Sequence, residues 1–188
     1  LCEFNDPLYI VFSSGTTGKP KCITHSIGGV LIQHAKEHLL HINLSEKQKM
    51  FYFTTCGWMM WNWLVGSLFC KSSIVLYEGS PFYPNPEHLW KIAEKSEVSI
   101  FGTSAKYIDA LSKSNIVPKK HFTLSNLLTI CSTGSPLSPD SYDYILNNVK
   151  PDVQIASISG GTDLLSCFVL SNPLGPVVKG EIQCRALA

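Results

Sequence analysis

Short apolar runs and helix-spaced apolar positions alternate along the 188-residue chain. Leu8-Tyr9-Ile10-Val11-Phe12 reads as a strand entering a glycine- and threonine-rich loop. Gly28 to His41 then carries Val30, Leu31, Ala35, Leu39 and the following Ile42 on one face, the pattern of an amphipathic helix. Ser73-Ile74-Val75-Leu76-Tyr77 is the next clear strand, and Asn85-Pro86-Glu87 opens a helix with Asn as its cap. Val98 to Phe101 is a strand followed by a helix from about Ser104 to Lys113. Leu127 to Cys131 is a strand that ends in Ser132-Thr133-Gly134-Ser135-Pro136. Ser138-Pro139 caps a helix with Tyr142, Ile145, Leu146 and Val149 at helical spacing, and Val153 to Ser157 is a last strand. Repeated strand–helix–strand units predict an α/β fold of mostly parallel sheet flanked by helices.

Met50 to Cys70 holds no charged residue, which meets the length rule for a membrane-spanning helix. The β-prone Phe51-Tyr52-Phe53-Thr54-Thr55, the interruption at Gly57 and the mid-run Asn62 favour a buried strand, a loop and a buried helix. No membrane span is expected.

Composition narrows the classes. A hydrophobic fraction of 45% with 15% charged residues suits a globular interior. A net charge of +1 supplies no basic field for nucleic acid. The 7 cysteines include no C-x-x-C pair and mostly sit in apolar runs, which predicts buried free thiols in a reducing compartment. The chain opens on Leu1 without a signal-peptide pattern and stops at Ala188 in mid-pattern, so an internal piece of a longer protein is expected. His34, His38 and His41 lie at helical spacing but lack the glutamate of a metalloprotease motif, and a solvated helix face is expected for them. His25 is open between an approach to substrate and a packing or capping role.

Three polar, glycine-rich loops each follow an apolar strand. Ligands of open α/β sheets bind beyond the carboxyl ends of strands, so converging loops would line one site. The first loop is Ser13-Ser14-Gly15-Thr16-Thr17-Gly18-Lys19-Pro20-Lys21. Its glycines let backbone N–H groups approach phosphate oxygens, its hydroxyls donate, and Lys19 and Lys21 supply positive charge. It is not a Walker A loop, because Gly15 and Gly18 stand too close together and Pro20 follows Lys19.

That string resembles the signature of the acyl-adenylate-forming superfamily: acyl-CoA synthetases, peptide-synthetase adenylation domains and luciferases. The resemblance continues in order along nearly the whole chain. It implies that the chain is part of the large N-terminal domain of such an enzyme, 1–188 being a partial AMP-binding domain. The preceding segment, the ribose-binding Asp and the small mobile C-terminal domain would lie outside it. By the same resemblance, Ser13, Ser14, Gly15, Thr16, Thr17, Gly18 and Lys19 would hold the phosphates. Gly134-Ser135-Pro136-Leu137 would pack against the adenine. Within Gly161-Thr162-Asp163, Thr162 would contact the nucleotide phosphate and Asp163 would help to hold Mg²⁺, although relatives carry Glu at that last position. Lys19 and Thr162 are the implied catalytic residues.

More narrowly, Gly57-Trp58-Met59-Met60-Trp61-Asn62-Trp63, Tyr77-Glu78-Gly79-Ser80-Pro81, Ser132 to Leu137 and Lys179-Gly180-Glu181-Ile182-Gln183 look like the acetoacetate-activating branch of the superfamily. The implied reaction is ATP-dependent formation of an acyl adenylate, followed by transfer to coenzyme A, in the cytosol. Trp58, Met59, Met60 and Gly160 are the implied acid-binding residues. Acetate-activating relatives carry Trp where Gly160 stands, so Gly160→Trp is expected to shift preference toward acetate. Another short-chain acid and a non-catalytic adenylate-binding relative stay open, as does the oligomeric state.

Overall fold

The structure, a computed structural model, describes residues 1–13 and 18–187. Ser14, Gly15, Thr16 and Thr17 of the first loop lie outside the described residues. Strands β1 (Pro7–Ser13) and β2 (Lys21–Ser26) pair antiparallel, with Ser13 opposite Lys21. The first loop therefore lies beside an antiparallel pair in a fold expected to be mostly parallel. Helix α1 (Ile27–Lys36) follows directly, its first turn capped by Ser26 Oγ, which accepts from Gly29 N at 3.3 Å. It runs on as a π-helical turn, Glu37–His41.

The centre of the molecule is a parallel sheet. It comprises β3 (Lys49–Tyr52), β4 (Ser73–Val75), β5 (Ile100–Ser104), β6 (Thr129–Thr133) and β7 (Gln154–Ser157), in the order β4-β3-β5-β6-β7. Helices α2 (Met59–Gly66), α3 (His88–Lys95), α4 (Ala105–Lys113) and α5 (Pro139–Tyr144) form the crossovers. Met50 to Cys70 thus resolves into a strand end, a loop, a helix and a 3₁₀ turn. Among the described residues no helix is long and apolar enough to cross a membrane.

The strands have two apolar faces because helices cover both sides. Phe51, Phe101, Ile130 and Ile155 enter one core with Trp90, Ile108 and Tyr142 of α3, α4 and α5. Met50, Tyr52, Ile100, Cys131 and Ala156 enter the other with Met60 and Trp63 of α2. This is the period of two expected of a pleated strand. Gly102 faces Tyr52 in register, and a β-carbon there would stand 2.0 Å from the Tyr52 ring. The glycine lets the ring lie across β5, with its edge toward Trp58 and Trp63.

Beyond β7 the chain turns into an antiparallel sheet of β8 (Ser159–Gly161), β9 (Ser166–Leu170) and β10 (Cys184–Arg185). Thr133 Oγ1 donates to Ile158 O at 2.8 Å and fixes this turn to the end of β6.

Boundaries differ where side chains compete with the helix. Asn85 Oδ1 accepts from Glu87 N at 3.0 Å and stabilises a turn, so α3 begins only at His88. Ser104 and Ser138 cap α4 and α5 as expected.

The larger correction concerns α1 and its π turn. His34, Glu37, His38 and His41 are buried, while Ile32, Leu39 and Leu40 are exposed. The expected solvated histidine face points inward. The reason is hydrogen bonding: each imidazole meets a main-chain carbonyl at 2.8 Å, His34 at Leu165 O, His38 at Trp63 O and His41 at Ser171 O. Those carbonyls need donors, which leucine cannot supply. Among the described residues no group of three or more metal-ligating side chains forms. The cysteines are free as expected, but burial differs: Cys70, Cys131 and Cys167 are buried, Cys184 is half-buried, and Cys2, Cys22 and Cys56 are exposed.

Candidate active site

A cavity of about 460 Å³ opens at the carboxyl edge of the parallel sheet. It lies where the chain leaves β3, β6 and β7, beside the point at which the strand order reverses between β3 and β5. Its volume falls within the range of small-molecule sites.

One wall is the second loop, Thr133 to Leu137, where Gly134 takes a φ of +89° that favours glycine. Trp58 stands against this glycine, 3.7 Å from where its β-carbon would be. Trp58, Met59 and Met60, at the start of α2, form the opposite wall. The floor and rim come from Ser157, Ser159, Gly160, Gly161 and Thr162.

The structure thus brings Gly134, Ser135, Pro136, Gly160, Gly161 and Thr162 together with Trp58, Met59 and Met60. Asp163 is exposed beside the rim. Gly18 and Lys19 are exposed outside the lining, and Ser13 is half-buried at the end of β1. The first loop is nevertheless tied to the third: His25 Nε2 on β2 donates to Thr162 O at 3.0 Å. A carbonyl only accepts, so the proton on His25 sits on Nε2.

Gly160 borders the cavity beside Ser166 and Cys167 of the opposing strand. A β-carbon there would lie 2.1 Å from Ser166 O and 2.8 Å from Cys167 Cα. The glycine permits close approach of β9, and an indole at this position requires the β8–β9 pair to move.

Ser157, Ser166, Cys167, Gly180 and Ile182 also line the cavity, and the first three carry no motif that marks them as site residues. The last two belong to the segment Lys179 to Gln183, which Tyr142 Oη holds by donating to Glu181 O at 2.8 Å. Cys167 is no nucleophile. Burial pushes its thiol up, and the neighbouring Glu37 carboxylate adds to this. Burial likewise pushes Cys131 up to about 12.

A walled crevice at the carboxyl edge of a parallel sheet, joined through His25 to the strand that follows a glycine-, threonine- and lysine-rich loop, is the place where α/β folds hold nucleotides. The model of the AMP-binding enzyme family matches residues 2–181, and the chain belongs to that family. It is 57% identical over 180 residues to the acetoacetyl-coenzyme A synthetase of Rhizobium meliloti (strain 1021), covering 96% of this chain and 28% of that protein. It is 52% identical over 184 residues to the acetoacetyl-CoA synthetase of Gallus gallus, covering 98% of this chain and 28% of that one. The solved structure of the acetoacetyl-CoA synthetase from Streptomyces lividans superposes with a TM-score of 0.93 at 43% identity, covering 99% of this chain and 29% of that chain. The chain therefore spans about 28% of the length of these curated relatives.

Proposed function

We propose that this chain is part of the AMP-binding domain of a cytosolic acetoacetate–CoA ligase. The observation that carries the reading is the cavity whose two walls, Gly134 to Leu137 and Trp58 to Met60, meet at Gly160 to Thr162. Relatives named as acetoacetyl-CoA synthetases, 50% or more identical along nearly the whole chain, support the acid. The free cysteines support a reducing compartment.

In the first step the acid's carboxylate attacks the α-phosphate of ATP, and pyrophosphate leaves. A carboxylate is already a nucleophile at neutral pH, so no general base is needed. What the protein supplies is alignment and dispersal of charge. The first loop, with Lys19, neutralises the departing phosphates. Gly134, Ser135 and Pro136 receive the adenine, and Thr162 donates to a phosphate oxygen. Trp58, Met59 and Met60 shut water from the acyl chain. In the second step the thiol of coenzyme A displaces AMP.

Asp163 fits Mg²⁺: it is exposed at the rim next to the Thr162 hydroxyl, and both are hard oxygen donors. Mg²⁺ takes one or two carboxylates and completes its shell from phosphates and water. When bound, the ion offsets phosphate charge.

The test is acid-dependent ATP–pyrophosphate exchange by the full-length protein carrying this sequence, with acetoacetate, acetate, propionate and butyrate. Exchange fastest with acetoacetate supports the reading. Faster exchange with another acid overturns the substrate, and exchange with none favours a non-catalytic adenylate-binding protein.

A further inference from the structure

A buried carboxylate beneath the site joins the helix of the Trp58–Met60 wall to the strand that backs the Gly160–Thr162 rim. Glu37 is 0% exposed and projects from the π-helical turn that extends α1. Turns of this kind are frequent at functional sites. Its Oε2 accepts from Trp63 Nε1 at 2.7 Å. Its Oε1 accepts from Cys167 N at 3.1 Å and from Ser166 Oγ, with Gln33 Nε2 at 3.4 Å. Lys36 Nζ stands 3.9 Å from the same oxygen. Trp63 lies one turn beyond Met59 and Met60 on α2, so it carries the apolar wall. Ser166 and Cys167 pair with Gly161 and Gly160 in β8–β9 and line the cavity themselves.

We infer that Glu37 is a positioning residue that sets the separation between the Trp58–Met60 wall and the Gly160–Thr162 rim, and with it the fit of the acid. This inference rests on the functional reading above. One oxygen holds α2 and the other holds β9, while His38 and His34 of the same helix reach Trp63 O and Leu165 O beside them. A neutral amide cannot reproduce the arrangement. Glutamine has one acceptor oxygen and one donor NH₂, so a donor must then face either the Trp63 N–H or the Cys167 N–H. One arm breaks, and the wall attached to it is released.

The experiment is steady-state kinetics of the full-length enzyme and its Glu37→Gln, Trp63→Phe and doubly substituted forms, with acetoacetate and ATP varied in turn. Glu37→Gln is expected to raise KM for the acid about tenfold, the effect of losing a charged hydrogen bond. In Trp63→Phe, KM for ATP is expected to stay within about twofold, because the nucleotide loops are not attached to Trp63. Trp63→Phe removes only the α2 arm and keeps a ring in the core, so a smaller rise in the same KM is expected. In the double form the glutamine oxygen is free to accept from Cys167 N while its NH₂ faces an apolar ring. The acid KM should then rise no further than in Glu37→Gln, a non-additive result.

A fall in kcat at unmoved KM would mean only that less enzyme is folded, and it would overturn the inference. An equal rise in both KM values in Trp63→Phe would overturn it too. If Glu37→Gln does not fold, Trp63→Phe decides by the same criteria. Absence of acid-dependent turnover in the unsubstituted enzyme overturns the functional reading and this inference together. Turnover there with an unmoved acid KM in the variants overturns this inference alone.

Discussion

His25 Nε2 donates to the carbonyl oxygen of Thr162 at 3.0 Å, across 137 residues of sequence. The bond joins the strand that follows the first loop to the turn that carries the third. Its loss leaves the fold's cores untouched but frees Thr162 relative to the phosphates. His25→Ala is expected to lower kcat/KM for ATP about tenfold, the scale of one well-placed hydrogen bond. His25→Gln, which can still donate to the carbonyl, should recover most of it. Equal losses in both variants would count against the bond as the cause.

Lys19 offers a test of the phosphate loop that is separable from folding. The side chain is exposed, and exposed substitutions usually move stability by no more than about 0.5 kcal/mol. Lys19→Ala should leave the thermal midpoint in place and lower pyrophosphate exchange about 100-fold, as the loss of one charge-stabilising group does. Unchanged exchange would remove Lys19 from the site.

Acid should weaken the fold through the α1 histidines. Burial holds His38 down to about 3, the neighbouring His34 lowers it further, and the Trp63 carbonyl opposes this. Burial also lowers His34, against the Leu165 carbonyl and the Glu37 charge. The unfolded chain therefore binds protons from about pH 6.5 downward while the folded chain does not. Stability is then full above about pH 6.5 and is lost as pH falls toward 3. For His38 the loss reaches about 2 kcal/mol at about pH 5. His38→Gln keeps a donor for Trp63 O and cannot titrate, so its thermal midpoint should fall less between pH 7 and pH 5. Parallel curves for the two proteins would exclude His38 as the source.

Gly160 answers to backbone packing before it answers to substrate size. Gly160→Ala places a methyl against Ser166 O and should destabilise by about 1–3 kcal/mol, measured by urea unfolding. Gly160→Trp should lower turnover with acetate as well as with acetoacetate, because the β8–β9 pair must shift. Retained acetate turnover would show instead that the indole has reached the cavity.

The parallel core was legible because the sequence carries apolar runs at β3, β5, β6 and β7, the mark of strands covered on both sides. The second and third loops were legible because glycine and hydroxyl residues cluster directly after such runs. Less was readable where the deciding partner is far along the chain. The stripe of His34, Glu37, His38 and His41 has helical spacing, yet nothing local says that Leu165 O, Trp63 O and Ser171 O await it. Hydrophobicity alone turns Leu39 and Leu40 inward, and the need to pair buried carbonyls turns them out. Gly160 is a similar case. Its role is set by Ser166 on the opposing strand, which no reading of Ser159-Gly160-Gly161 contains.

The order of the parallel sheet has a consequence for synthesis. Met50 pairs with Ile100, and β4 pairs only with the other edge of β3. While a growing chain extends from β3 to β5, at about 5–20 residues per second, an apolar strand edge waits unpaired for roughly 3–10 s. Such edges recruit other chains. Yield of this protein in a host should therefore rise when translation across residues 53–99 is fast relative to the concentration of nascent chains, since the partner strand then arrives before a stranger does.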